Sequence, residues 1–157
     1  KKLHIEVYET KDKDYYWGIF RRYHYLSHSL NKASRVYVAL CNGELCGLCA
    51  VLPFPHPILK NAYKEHRTVI LPDYQGVGIG TAFTDYIAQH YKDNGKIFIS
   101  TTSSPSMIHS RVNNTKWITT RIGRSSSGSG SGKIQNKNKK GSTSCNRITM
   151  SFKYIGK

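Results

Sequence analysis

A chain of 157 residues and 17.8 kDa has the length of one domain, enough to bury roughly 70% of its unfolded surface around a single core. Its 38% hydrophobic and 11% aromatic residues supply that core and exclude wholesale disorder and collagen-like or mucin-like architectures. The net charge is +15, no apolar run is long enough to span a bilayer, and residues 1–4 lack the apolar stretch of a secretory signal, so a cytoplasmic protein is expected.

Leu3, Ile5 and Val7 alternate with polar residues, so residues 3–9 read as a first strand. Asp14 is placed to cap a helical region over 15–26, where Trp17, Phe20, Tyr23 and Tyr25 recur at helical spacing. Two apolar stretches, 35–40 and 44–52, flank Asn42-Gly43, whose tolerance of positive φ predicts a hairpin. Pro53, Pro55 and Pro57 stop the second strand. Residues 66–71 read as the next strand, and Phe83, Tyr86, Ile87, His90 and Tyr91 set a helix over 79–93 closed by Asn94-Gly95. A buried strand over 96–100 follows, then a helix that starts at Ser104-Pro105 and runs towards Val112. Residues 125–144, almost wholly Ser, Gly, Lys and Asn, predict a flexible basic loop before a final strand over 146–155. The order β, α, ββ, β, α, β, α, β is a mixed α/β (α+β) layout in one domain.

Charge and cysteine narrow the chemistry. The last acidic residue is Asp93, and residues 94–157 carry twelve Lys and Arg. A one-signed field of that kind concentrates polyanions, so a nucleic-acid partner is expected through the basic C-terminal third. Cys41-x4-Cys46-x2-Cys49 lies in an apolar run without a second CxxC, and with Cys145 far off the pattern argues for buried structural thiols and against a metal site. Trp17, Phe20 and Trp117 are assigned to the core rather than to base stacking.

Gln75-x-x-Gly78-x-Gly80, directly after a strand and opening a helix, is the strongest chemical signal. Glycines let a ligand approach the backbone, and the free N–H groups and dipole of a first helical turn favour phosphate. The spacing and the lack of an acidic residue near position 100 argue against a dinucleotide fingerprint. Gly128 to Lys133 mimics a phosphate loop, but Ile134 stands where Ser or Thr would hold Mg²⁺, so it reads as linker.

The strand, Gln75-x-x-Gly78-x-Gly80 and helix resemble the acyl-CoA-binding motif of the GNAT N-acetyltransferase superfamily, and the element order resembles it over nearly the whole chain. The resemblance implies a mixed, mostly antiparallel central sheet flanked by helices, acetyl-CoA as cofactor, and transfer of an acetyl group to an amine. It implies that Gln75, Gly76, Val77, Gly78, Ile79 and Gly80 cradle the CoA pyrophosphate, and that Val69, Ile70 and Leu71 align the pantetheine beside a bulge. His24-Tyr25-x-Ser27, the Asn42-Gly43 hairpin, Pro53-x-Pro55-x-Pro57 and His66-Arg67 are similar to GNAT-like proteins of phages and mobile elements, and in part to Mom-type enzymes that modify DNA adenine. That narrower resemblance implies substrate contacts at His24, Tyr25 and Ser27.

Amine acetylation needs a deprotonated acceptor and a proton for the departing thiolate. His66, with an ordinary imidazole value near neutrality, is the candidate base; Glu65 is the nearest carboxylate, and Arg67 is placed to orient substrate or phosphate. The family places a Tyr acid after the fifth strand, but no Tyr lies between Ile99 and Trp117, leaving Ser103, Ser104, His109 or Tyr154. Two rival classes remain open: a Mom-like enzyme acting on a nucleic-acid base, and a non-catalytic GNAT fold that binds nucleic acid.

Overall fold

The computed structural model describes residues 2–24, 29–124 and 148–156. Seven strands form one sheet: β1 (Ile5–Thr10), β2 (Arg35–Cys41), β3 (Glu44–Pro53), β4 (Ala62–Ile70), β5 (Ile97–Thr102), β6 (Trp117–Arg124) and β7 (Ile148–Tyr154). Their order is β1-β2-β3-β4-β5-β7-β6. Every pairing is antiparallel except β4 with β5. Helix α1 (Lys13–Phe20) lies on one face; α2 (Ile79–Asp93) and α3 (Pro105–Val112) lie on the other.

Each face is sealed by the apolar pattern of its strands. Phe83, Ile87 and Tyr91 of α2 bury against Cys49, Val51, Phe98 and Phe152. Trp17 and Phe20 of α1 bury against Val36, Leu48, Ala50 and Val69. Because successive strand residues point to opposite faces, β2 and β3 feed both clusters and read as nearly continuous apolar runs. Trp117, 5% exposed, stacks edge-on against Phe98 and Tyr154, so both tryptophans are core, as expected.

Asn42 and Gly43 hold φ of 50° and 86°, the left-handed pair that closes the β2–β3 hairpin. Helix α2 has the predicted bounds. The first helix is shorter than predicted: α1 ends at Phe20 and a single 3₁₀ turn, Arg21–Tyr23, continues it. It is preceded by Asp12, with Asp14 inside its first turn. Strand β4 begins four residues earlier than predicted, and β6 was not predicted at all. The basic loop assigned to 125–144, and Cys145 with it, lie outside the described residues. Among the described residues, no helix is long and apolar enough to cross a membrane.

Candidate active site

The middle of the sheet is where the strands part. Strand β4 pairs with β5 only through Ala62, Tyr63 and Lys64; beyond them its edge faces no strand among the described residues. Opposite, β3 runs antiparallel to β4, with Ala50 facing Arg67 and Val51 facing Glu65. His66 is therefore the extra residue of a bulge, which bends the strand and re-aims its side chains.

A buried ion pair sits at this fork. Arg111 of α3, 3% exposed, donates from Nη2 to Glu65 Oε2 at 2.8 Å, and from Nη1 to Ser100 Oγ of β5. Its guanidinium carbon lies 4.0 Å from the centroid of the Trp117 ring. One guanidinium thus touches β4, β5 and β6 and fixes α3 over the gap, with every charge partnered.

Below the fork, the loop between β4 and α2 is tied down at both ends. Gln75 Nε2 donates to Ile70 O at 2.8 Å, and Tyr74 Oη donates to Glu44 Oε2 at 2.7 Å; that bond and the adjacent carboxylate raise the Tyr74 pKa to about 12. Gly76 and Gly78 hold φ of 80° and 85°, and a Cβ built on either meets nothing within 4 Å. Gly80 is needed for a different reason: a Cβ there would stand 3.3 Å from Ile70 Cγ1, so its absence lets α2 lie against β4. No side chain caps the start of α2, leaving the first-turn N–H groups and the positive end of the dipole turned to whatever the loop binds.

These elements wall a groove of about 600 Å³ that runs from Gly76, Gly78 and Gly80, past Thr68, Val69 and Ile70, to α3. The α3 wall carries Ser104, Ser106, Met107, His109 and Ser110, and Thr81 Oγ1 joins Ser110 Oγ at 2.7 Å across its floor. A second pocket of about 300 Å³, lined by Leu52, Pro53, Phe54, Thr101 and residues 64–67, opens next to it. The linings become adjacent at Arg67 and Thr68, beside the bulge. Open glycine positions, unused N–H groups and a long groove fit a phosphate-bearing ligand with an extended arm.

A family model described as the acetyltransferase (GNAT) family matches residues 3–109. The chain belongs to the GNAT family. Its fold is also that of solved structures at low identity. The ribosomal-protein-S18-alanine N-acetyltransferase of Escherichia coli is 11% identical with a TM-score of 0.66, covering 98% of this chain and 96% of its own. A Bacillus subtilis acetyltransferase in complex with CoA is 14% identical, and a GNAT family acetyltransferase from Elizabethkingia anophelis with acetyl-CoA bound is 13% identical. Each of these two has a TM-score of 0.64 and covers 98% of both chains. Compared with curated proteins, the chain finds no match.

Measured against the GNAT pattern, most of the predicted cradle falls in the groove. Val69, Ile70, Gln75, Gly76, Gly78 and Gly80 line it. Leu71 does not: its N–H donates to Cys46 O at 2.8 Å and its side chain packs on the α1 cluster. The side chain of Val77 is 61% exposed and that of Ile79 is in the core at 2%, so only their backbone is left to serve the loop. His109 is on the α3 wall, whereas Ser103 stays in the β5–α3 loop outside the groove lining. Tyr154 does not line the groove; its hydroxyl donates to Gln89 Oε1 of α2 at 2.8 Å. Tyr23, Thr68 and Thr81 line the groove without having been predicted. His24 lies 6.1 Å from the Trp17 ring, centroid to centroid; Tyr25 and Ser27 lie outside the described residues.

His66 corrects the expectation drawn from an ordinary imidazole. Burial above all, then the charges of Arg67, His24 and Lys64, push its pKa down to about 4. Its Nε2 accepts the Asn31 backbone N–H at 3.3 Å, and its Nδ1 lies 3.4 Å from Arg67 Nη1, so both ring nitrogens face donors, an arrangement that disfavours the protonated ring. A ring held neutral and facing donors at both nitrogens is a weaker proton acceptor than an ordinary imidazole, which argues against His66 as the base. Glu65 is committed to Arg111. Cys41, Cys46 and Cys49 are free and buried, as the apolar run around them predicts, and burial lifts Cys46 to about 11 and Cys49 further.

Two outcomes follow. Arg111→Met leaves the Glu65 carboxylate buried alone, so urea denaturation should show a loss of about 3–5 kcal/mol, most of it recovered in the Glu65→Leu, Arg111→Met double variant. The second concerns acid. The unfolded imidazole titrates near 6.5 and the folded one near 4, so the unfolded chain binds the proton first. Stability from this source is complete above pH 6.5 and falls between 6.5 and 4, and melting temperatures across that window should drop less in His66→Gln than in the parent.

Proposed function

We propose that the protein transfers the acetyl group of acetyl-CoA to an amine held in the pocket beside the β4 bulge. The observation that carries this reading is the adjacency of two differently built spaces along β4: a phosphate-type cradle at Gly76, Gly78 and Gly80, and a smaller pocket beginning at Arg67. From Ile70 to Arg67 the strand rises about 10 Å at about 3.3 Å per residue, a distance suited to an extended arm rather than to a compact nucleotide. Acetyl-CoA, when bound, would supply a thioester as the acyl donor. The first-turn N–H groups of α2 would hold its phosphates, and the unpaired edge of β4 would orient its arm.

The chain's own residues then divide the proton work. The acceptor gives up one proton as its N–C bond forms, and the departing sulfur takes one up as the C–S bond breaks. Lys64 and Arg67 place positive charge beside the acceptor and so favour its neutral, nucleophilic amine over the ammonium ion. This lets the amine shed its proton to solvent without a strong base. His109, the imidazole on the α3 wall, faces the groove and is the residue we assign to protonating sulfur, with the Ser104 and Ser106 hydroxyls beside it. Orientation of donor and acceptor at the fork supplies the larger share of the barrier reduction. The twelve positive charges after Asp93 keep nucleic acid as the second reading for where the acceptor resides.

Calorimetry with acetyl-CoA tests the donor. Gly78→Glu puts a side chain and a negative charge into the cradle and should abolish binding. Gly95→Glu, equally left-handed at φ 73° and open around its Cβ but outside the groove lining, should retain it; equal affinity in the two folded variants would refute the donor site. For the proton donor, His109→Ala should lower kcat about 10²-fold and leave acetyl-CoA affinity unchanged.

A further inference from the structure

The pocket beside the bulge has a lining of its own that specifies more than an amine. Its floor is apolar, made by Leu52, Pro53 and Phe54 at the end of β3. Its rim is cationic. Lys64 Nζ lies 5.6 Å from the centroid of the Phe54 ring, which holds the ammonium over the floor instead of out in solvent. Arg67 Nη1 donates to the His66 carbonyl at 2.9 Å, which fixes the guanidinium at the junction with the groove. Among the described residues of the lining the one carboxylate, Glu65, is already matched by Arg111 at 2.8 Å, so it does not cancel the rim. His66 adds no charge of its own, yet it registers the field, because Arg67 and Lys64 are among the causes that keep its ring neutral.

Two fixed cations about a space of only about 300 Å³ repel a polyamine or a lysine-like acceptor and attract an anion. That volume is at the small end for ligand pockets; it admits one small molecule or one side chain, and no duplex. We propose that the acceptor is a small primary amine that also carries a carboxylate or phosphate group, with the anion bound between Lys64 and Arg67 and the amine directed to the fork. This rests on the acetyl-transfer reading above. An anion on the rim would also offset part of the field acting on the amine, so the geometry requires the two groups of the substrate to be held apart, the anion outermost.

Matched pairs of amines that differ only in the anion test it: glycine against glycinamide for a carboxylate, phosphoethanolamine against ethanolamine for a phosphate. CoA release from acetyl-CoA is followed with the full chain. The expected result is a kcat/KM at least about ten-fold higher for the anionic member of one pair, the value of one charge-assisted hydrogen bond; which pair responds identifies the anion. In Arg67→Gln and Lys64→Ala the ratio within the responding pair should shrink about ten-fold with acetyl-CoA affinity changed little; turnover of the neutral member falls too, because the same cations favour its unprotonated amine, so the ratio and not either rate is the reading. Equal rates within both pairs, or faster turnover of spermidine or of an adenine-bearing oligonucleotide, overturn the proposal.

Should no amine be acetylated, calorimetry of phosphoethanolamine, ethanolamine, glycine and glycinamide with and without saturating CoA decides it. Failure of either anionic member to bind more tightly than its neutral partner overturns the anionic acceptor, and retained acetyl-CoA affinity would leave the donor reading standing. Anion-selective binding without acetyl-CoA affinity would do the reverse.

Discussion

Two parallel strands that pair for three residues and then diverge need something to hold them apart without closing the gap, and in this protein that is one buried guanidinium. Arg111 reaches from α3 to Glu65 on β4 and Ser100 on β5 and lies against Trp117. Removing such a charge from water costs several kcal/mol, and its partners offset that cost without a large surplus. The pair therefore contributes position more than stability. A hydrophobic side chain of similar size would fill the same space yet specify no direction, and α3 would be free to slide over the fork it walls.

The rest of the site is organised by that opening. Backbone groups on the unpaired edge of β4 are available because β5 has turned away, and the bulge at His66 decides which side chains flank the point of divergence. The glycine loop lies at one end of that edge, where Gln75 and Tyr74 tie it to β4 and to the β2–β3 hairpin. A loop fixed in this way presents its N–H groups with little reorganisation on binding. Thr81 and Ser110 join the two helices across the floor, so the cradle and the α3 wall move together if they move at all.

What could be read from the sequence was whatever a local pattern encodes. Asn42-Gly43 states its turn, the 79–93 helix states its period, and the glycine loop states its ligand chemistry. Arg111 states nothing of the kind: in α3 the apolar Val112 is 56% exposed while the arginine beside it is 3% exposed, an inversion that only tertiary contacts explain. Strand β6 was hidden for a related reason. It is a sheet edge whose Ile118 and Ile122 are exposed, it carries two arginines and a glycine, and a bulge between Thr119 and Arg121 breaks its alternation. Its pairing partner β7 is distant in sequence, so no short window contains both halves of the signal. The early start of β4 was equally invisible, because Lys64 and Glu65 look like loop until their partners are known.

His66 shows how a residue can be located from the sequence while its basicity cannot. Its place beside the glycine motif was legible, but basicity is a property of surroundings, and three separate elements supply them. Asn31 comes from the loop before β2, His24 from the end of the first helical region, and Lys64 and Arg67 from either side on β4. An imidazole so surrounded gives up its charge, and with it the role that its ordinary pKa suggested. Burial is the larger cause and the positive groups add to it; in the proposed acetyl transfer the same field that disfavours imidazolium would disfavour ammonium on a neighbouring acceptor. The lowered basicity of His66 and the proposed ease of deprotonating an acceptor thus draw on the same charges at the β4 bulge, with burial adding to the first.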